Sequence, residues 1–81
     1  MKPSVRSSRT VLDAIARLNR QFVRFSVRDI ARVSTYSVPT VLQAIARLEA
    51  SGHIAVDRSE RARRRTQPYR YTVLREMDDH E

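Results

Sequence analysis

The densest chemistry in this sequence is a run of cations. Arg58, Arg61, Arg63, Arg64 and Arg65 fall within eight residues that contain one acid, Glu60. Guanidinium groups this close repel one another and gain from a multivalent anion, because each planar fork can meet two phosphate oxygens at once. A second set runs through Thr35, Tyr36, Ser37, Pro39, Thr40, Gln43 and Arg47. Thr35, Tyr36 and Ser37 carry hydroxyls that can donate to phosphates. A Gln amide offers a donor and an acceptor side by side, the pattern that meets an adenine edge through two hydrogen bonds, so Gln43 is the first choice for reading a base. Thr40 suits a thymine methyl or a phosphate, and Arg47 suits the backbone of a polyanion.

Catalytic chemistry has little to start from. The chain has no Cys and no Trp, and its two His are His53 and His80, the second in an acidic tail. A single Gly excludes glycine-rich phosphate loops, and no His or carboxylate cluster has the spacing of a metal site. The expectation is therefore a binding protein without cofactor or metal, not an enzyme.

These side chains need elements to hold them. Val11, Leu12, Ile15 and Leu18 recur at the spacing of one helical face, with Ser7, Ser8 or Thr10 as N-cap. Residues 1–7 read as a loose basic arm. Phe22 to Phe25 alternates apolar and polar residues, as a short strand or extended connection whose aromatics pack in the core. Ser26 and Asp29 have the spacing of a capping box, which starts a second helix over about Val27–Val33 that buries Val27, Ile30 and Ala31. Ser34 to Ser37 form a polar turn. Ser37 then caps a third helix over about Val38–Ser51, with Pro39 in its first turn, Val41, Leu42, Ile45 and Leu48 as its buried stripe, and Gly52 as its stop. His53–Val56 and Tyr69–Leu74 read as strands of an antiparallel hairpin, with Tyr71 facing the core and the arginine-rich segment 58–67 as the loop between them.

At 81 residues there is room for one small core, and homodimerisation remains open as a way to bury more surface. The formal charge of +7 understates the basic body, because residues 76–81 hold four of the nine acids and no Lys or Arg; without them 16 basic residues face 5 acidic ones, or +11. Such a body attracts polyanions, of which nucleic acid is the commonest. Arginine supplies 15 of the 16 basic residues, as a GC-rich genome would favour by itself, so the cluster carries more weight than the scattered arginines. No apolar run reaches the roughly 20 residues of a membrane span, and the start Met1-Lys2-Pro3-Ser4 lacks a signal peptide's apolar stretch, which points to a cytoplasmic protein with no membrane partner.

Thr10–Arg20 (TVLDAIARLNR) and Thr40–Ala50 (TVLQAIARLEA) match at eight of eleven positions. Two copies do not make a solenoid, and convergence on one amphipathic vocabulary accounts for them more simply than duplication. Only the second copy follows a short helix and a turn.

That order of elements resembles winged helix-turn-helix proteins of the MarR-like and GntR-like kind. The likeness is carried by Ser26, Ile30, Ala31, Ser37, Thr40, Val41, Ile45, Leu48, Glu49, Gly52, Ile54 and Tyr71, over about residues 8–74. It implies an α+β, mainly α fold: three helices and a C-terminal β-hairpin wing spanning 8–75, followed by an acidic tail at 76–81. It further implies double-stranded DNA as partner, helix 3 in the major groove, the wing on the minor groove or phosphates, and dimers on DNA. The sequence departs from the pattern at Thr35, where Gly is common because the backbone often needs a positive φ. A β-branched residue there suggests a different turn or an earlier end to helix 2. Tyr36 replaces a smaller aliphatic residue; its ring can cover the core while its hydroxyl faces outward.

The function expected is a DNA-binding transcriptional regulator. Alternatives are an accessory factor of plasmid or phage replication, partition or transfer and, from another class, a winged-helix protein-interaction adaptor. RNA is a weaker candidate, since no aromatic-rich sheet is visible.

Overall fold

Three helices come first in the chain. In the computed structural model, which describes residues 4–57 and 68–76, they are α1 (Ser4–Asn19), α2 (Val27–Ser34) and α3 (Val38–Ala50). Two strands follow, β1 (Ile54–Asp57) and β2 (Arg70–Val73), paired antiparallel with Ile54 opposite Val73 and Asp57 opposite Arg70. The result is mainly helical, with the three-helix-plus-hairpin layout of a winged helix.

Helix α1 begins earlier than its capping residues suggest. Ser4 to Ser7 are helical, which corrects the boundary of the basic arm, and Ser7, Ser8 and Thr10 are interior residues instead of caps. The reason is that the apolar stripe extends one turn back through Ser8, which is buried, giving a face of Ser8, Val11, Leu12, Ile15. Thr10 donates its hydroxyl to the Arg6 carbonyl one turn earlier, at 3.1 Å. Arg17 and Arg20 point outward, whereas Arg9 is half-buried.

Helix α2 starts at a complete capping box. The Asp29 N–H donates to Ser26 Oγ at 3.2 Å, and the Ser26 N–H donates to Asp29 Oδ2 at 2.9 Å, so Asp performs the reciprocal role of the usual Glu. The helix runs one residue past the expected end, to Ser34, and the turn to α3 shrinks to Thr35, Tyr36 and Ser37. Thr35 takes the left-handed conformation, with φ 65°, so the expected departure from the glycine-type turn does not occur. Val27 and Ile30 are buried and Ala31 is half-buried.

Helix α3 ends in a Schellman motif. The Gly52 N–H donates to the Glu49 carbonyl at 3.1 Å and the His53 N–H to that of Leu48 at 2.9 Å, with Gly52 at φ 80°. From the far end of the hairpin, the Arg75 guanidinium donates to the Ser51 carbonyl at 3.2 Å, placing a cation at the negative end of the helix.

One core joins these elements. Val11, Ile15, Ile30, Val41 and Leu48 are its most enclosed large side chains, and Tyr71 closes it from the hairpin by stacking on Phe25, ring centroids 4.9 Å apart. Phe25 also exchanges two backbone hydrogen bonds with Tyr69, at 3.0 and 3.1 Å, so the segment before α2 adds one bridge beside β2. The two aromatics of this segment divide: Phe25 is core, but Phe22 is exposed, as is its neighbour Val23. Arg70, Thr72 and Leu74 face outward while Tyr69, Tyr71 and Val73 pack inward. No described helix is long and apolar enough to cross a membrane.

Candidate nucleic-acid interface

The path from α2 into α3 is fixed by a buried hydroxyl. Ser34 Oγ donates to the Ala31 carbonyl and accepts the Tyr36 N–H, both at 3.4 Å, so this small side chain ties the end of one helix to the turn that leads into the next. Thr35 is exposed, and its hydroxyl is turned back onto the Ser34 carbonyl. Tyr36 is half-buried and packs against the core, so its ring serves as a lid, as its amphipathic character suggests.

Ser37 opens α3. Its backbone is extended, its Oγ accepts the Thr40 N–H at 3.4 Å, and its hydroxyl donates to Thr40 Oγ1 at 3.0 Å. A cap used in this way orders the first turn, and with Pro39 supplying no N–H it leaves few loose donors there. Thr40 is half-buried at the edge of the helix, with its oxygen already engaged by Ser37.

Successive residues of an α-helix are rotated by about 100°. Val41, Ala44, Ile45 and Leu48 share the inward arc and are all buried. The outward arc holds Pro39, Leu42, Gln43, Ala46, Arg47 and Ala50, every one of them exposed. Gln43 and Arg47 therefore project together, four residues apart. Among the described residues no carboxylate lies within ion-pair distance of Arg47. Leu42 is a correction: it is 40% exposed, and Ala44 fills the inward position instead. Leucine reads as core in a sequence, yet Val41, Ala44, Ile45 and Leu48 already complete the i, i+3, i+4, i+7 face, and Leu42 falls one residue's rotation outside it. That spacing was the available signal for Leu42 and for its neighbour Ala46, one turn on.

Helix α2, which packs on α3, also carries exposed cations. Arg28 and Arg32 are exposed, and the 3.8 Å contact of Arg32 with Asp29 joins side chains that are 80% and 39% exposed, too open to neutralise the arginine firmly. The other predicted group, Arg58, Arg61, Arg63, Arg64 and Arg65, lies outside the described residues. The strand register fixes where that segment attaches: it leaves β1 at Asp57 and returns toward β2 at Arg70, which face each other as partners. Among the described residues no group of three or more His, Cys, Asp or Glu could hold a metal ion.

Helices and hairpin together define the class, a winged-helix layout with an exposed, cation-bearing third helix. Beyond the class, comparison adds nothing: the chain has no significant match among protein-family models, curated proteins or solved structures.

Proposed function

We propose that this chain is a winged helix-turn-helix protein that binds double-stranded DNA and regulates transcription. In this reading α3 enters the major groove with Gln43 toward a base edge, and the segment Arg58–Arg65 meets phosphates or the minor groove. Arg47, and Arg28 and Arg32 on α2, supply phosphate contacts that set the register, while sequence is read by the few side chains that reach base edges. No catalytic step is required of the chain.

The observation that carries the reading is the outward arc of α3 set against the matching arc of α1. On α1, Asp13 and Arg17 pair at 3.5 Å, so acid and base cancel. On α3 the corresponding residues are Gln43 and Arg47, an amide that can read a base and a cation with no carboxylate one turn before it. A solvated helix face has no need of that difference, and a face turned toward phosphates does.

The test is a titration of duplex DNA against salt. With about 6 to 8 phosphates neutralised per chain, log affinity should fall against log salt with a slope of roughly −5 to −7. Replacing Arg61, Arg63, Arg64 and Arg65 with Ala should flatten that slope by about 3 to 4 and weaken binding to every sequence alike. A slope near zero for the unaltered protein, or preferential binding of single strands or structured RNA, would overturn the proposal.

A further inference from the structure

The outward arc of α3 carries a cation at one edge and apolar side chains from its centre to the other edge. Pro39, Leu42, Ala46 and Ala50 are exposed on it, beside Gln43 and Arg47. Leu42 and Ala46 are four residues apart and so adjoin on the surface, with Pro39 one turn before Leu42. A leucine left 40% exposed on a helix whose inward face is already filled by four apolar residues serves no evident core purpose.

We infer that Leu42 and Ala46 form an apolar reading strip for the 5-methyl groups of thymine, so that the preferred duplex places A·T pairs under the middle of α3. The inference rests on the DNA-binding reading above and narrows it. Thymine is the one base that presents a methyl group in the major groove, and apolar side chains are what meets it there. Gln43 stands next to the strip and has the complementary capacity for adenine, so one helix face addresses both members of the same pair. Charge selects DNA over an apolar protein partner. Arg47 stands at the opposite edge of the arc beyond Gln43, Arg28 and Arg32 lie exposed on the preceding helix, and the exposed arc itself carries no acid, the half-buried Glu49 standing at its border beside Leu42. A second copy of this chain would bring the same arginines against themselves. Thr40, the earlier candidate for a methyl contact, is half-buried at the edge with its oxygen engaged by Ser37, which passes the role to its outward neighbours.

Duplexes selected from a random pool by the unaltered protein, then resynthesised with deoxyuridine in place of thymine, test this directly because only the methyl group is lost. Binding should weaken by about fourfold for each methyl contacted, the equivalent of burying one such group. L42A should bind the thymine duplex more weakly and discriminate less between thymine and deoxyuridine, while keeping the salt slope and the circular-dichroism spectrum of the folded chain. Equal binding to the two duplexes, with the salt slope intact, would overturn the thymine strip and leave DNA binding standing. An absence of duplex binding altogether would remove the reading beneath it. Sedimentation supplies the remaining arm: if the free protein is a dimer that L42A dissociates, the strip is covered by a second copy and the inference falls.

Discussion

Helices α1 and α3 are nearly the same sequence placed in two different settings. Val11 and Val41, Ala14 and Ala44, Ile15 and Ile45, and Leu18 and Leu48 are equivalent pairs, and all eight residues are buried. The pairs that part company lie beyond that shared stripe. Leu12 is 6% exposed where Leu42 is 40% exposed, and Asp13 pairs with Arg17 where Gln43 offers Arg47 no carboxylate. Leu12 lies in a cleft whose lining also includes Arg9, Asp13, Ala16, Arg20 and Glu76, and α1 packs on α2, α3 and β2. Helix α3 packs on α1, α2 and β1, and at its corresponding edge no other described element covers Leu42. Identical patterning thus yields a structural helix in one place and an available surface in the other, because tertiary neighbours decide what a residue at the margin of an apolar stripe becomes.

The largest effect that would break this comparison is a truncation at the paired leucines. Leu12→Ala should cost about 2–4 kcal/mol, the loss for removing an enclosed leucine, whereas Leu42→Ala should cost about 1 kcal/mol or less. In a domain of this size the first corresponds to a melting temperature lower by 10 °C or more, at about 4–8 °C per kcal/mol. Equal losses at the two positions, measured by thermal or urea unfolding, would show that the open edge of α3 is covered in solution.

A smaller effect, on binding instead of stability, follows from exchanging the acid and the amide. Gln43→Asp gives α3 the ion pair of α1 and should weaken duplex binding by about tenfold or more, from a lost bidentate contact worth about 1–3 kcal/mol and a new charge facing phosphates. The reciprocal Asp13→Gln on α1 removes a pair between side chains that are 65% and 70% exposed, and should leave both binding and stability within about 0.5 kcal/mol. Fluorescence anisotropy with a labelled duplex distinguishes the two helices at once; unchanged binding by Gln43→Asp together with tighter binding by Asp13→Gln would place α1, not α3, on the DNA.

Much of this was legible from the residues. The capping box at Ser26 and Asp29, the Ser37 cap, the Gly52 stop and the inward Tyr71 are local chemistry, decided within a few residues, and each stands where its residue types put it. The errors concern decisions made by distant neighbours. Ser8 is buried, and α1 extends past it, because a small side chain fits where the first helix meets the core; as a polar residue it reads instead as a cap. Leu42 reads as core because leucine usually is, and only the completed stripe beside it shows that the interior has no place left. Phe22 and Phe25 have the same chemistry, yet only Phe25 lies against Tyr71 and Tyr69. The arginines from Arg58 to Arg65 speak through charge and density alone, which are properties of the sequence.

The smallest effect concerns the turn that α3 has before it and α1 lacks. Thr35 holds φ 65°, a conformation that costs a residue with a Cβ about 1–2 kcal/mol relative to glycine. Its hydroxyl, turned onto the Ser34 carbonyl, returns part of that, and the greater freedom of glycine in the unfolded chain offsets a further 0.5–1 kcal/mol or so. Thr35→Gly should therefore stabilise the domain by only about 0.5–1 kcal/mol, a rise of roughly 3–6 °C in melting temperature. The substitution also loosens the joint between Ser34 and Ser37, so duplex affinity should stay level or decline as stability rises. If stability and affinity rose together, the threonine would be strain with no positional value; if stability fell, the hydroxyl contact would outweigh the backbone cost, and the orientation of α3 would depend on Thr35 as much as on the buried Ser34.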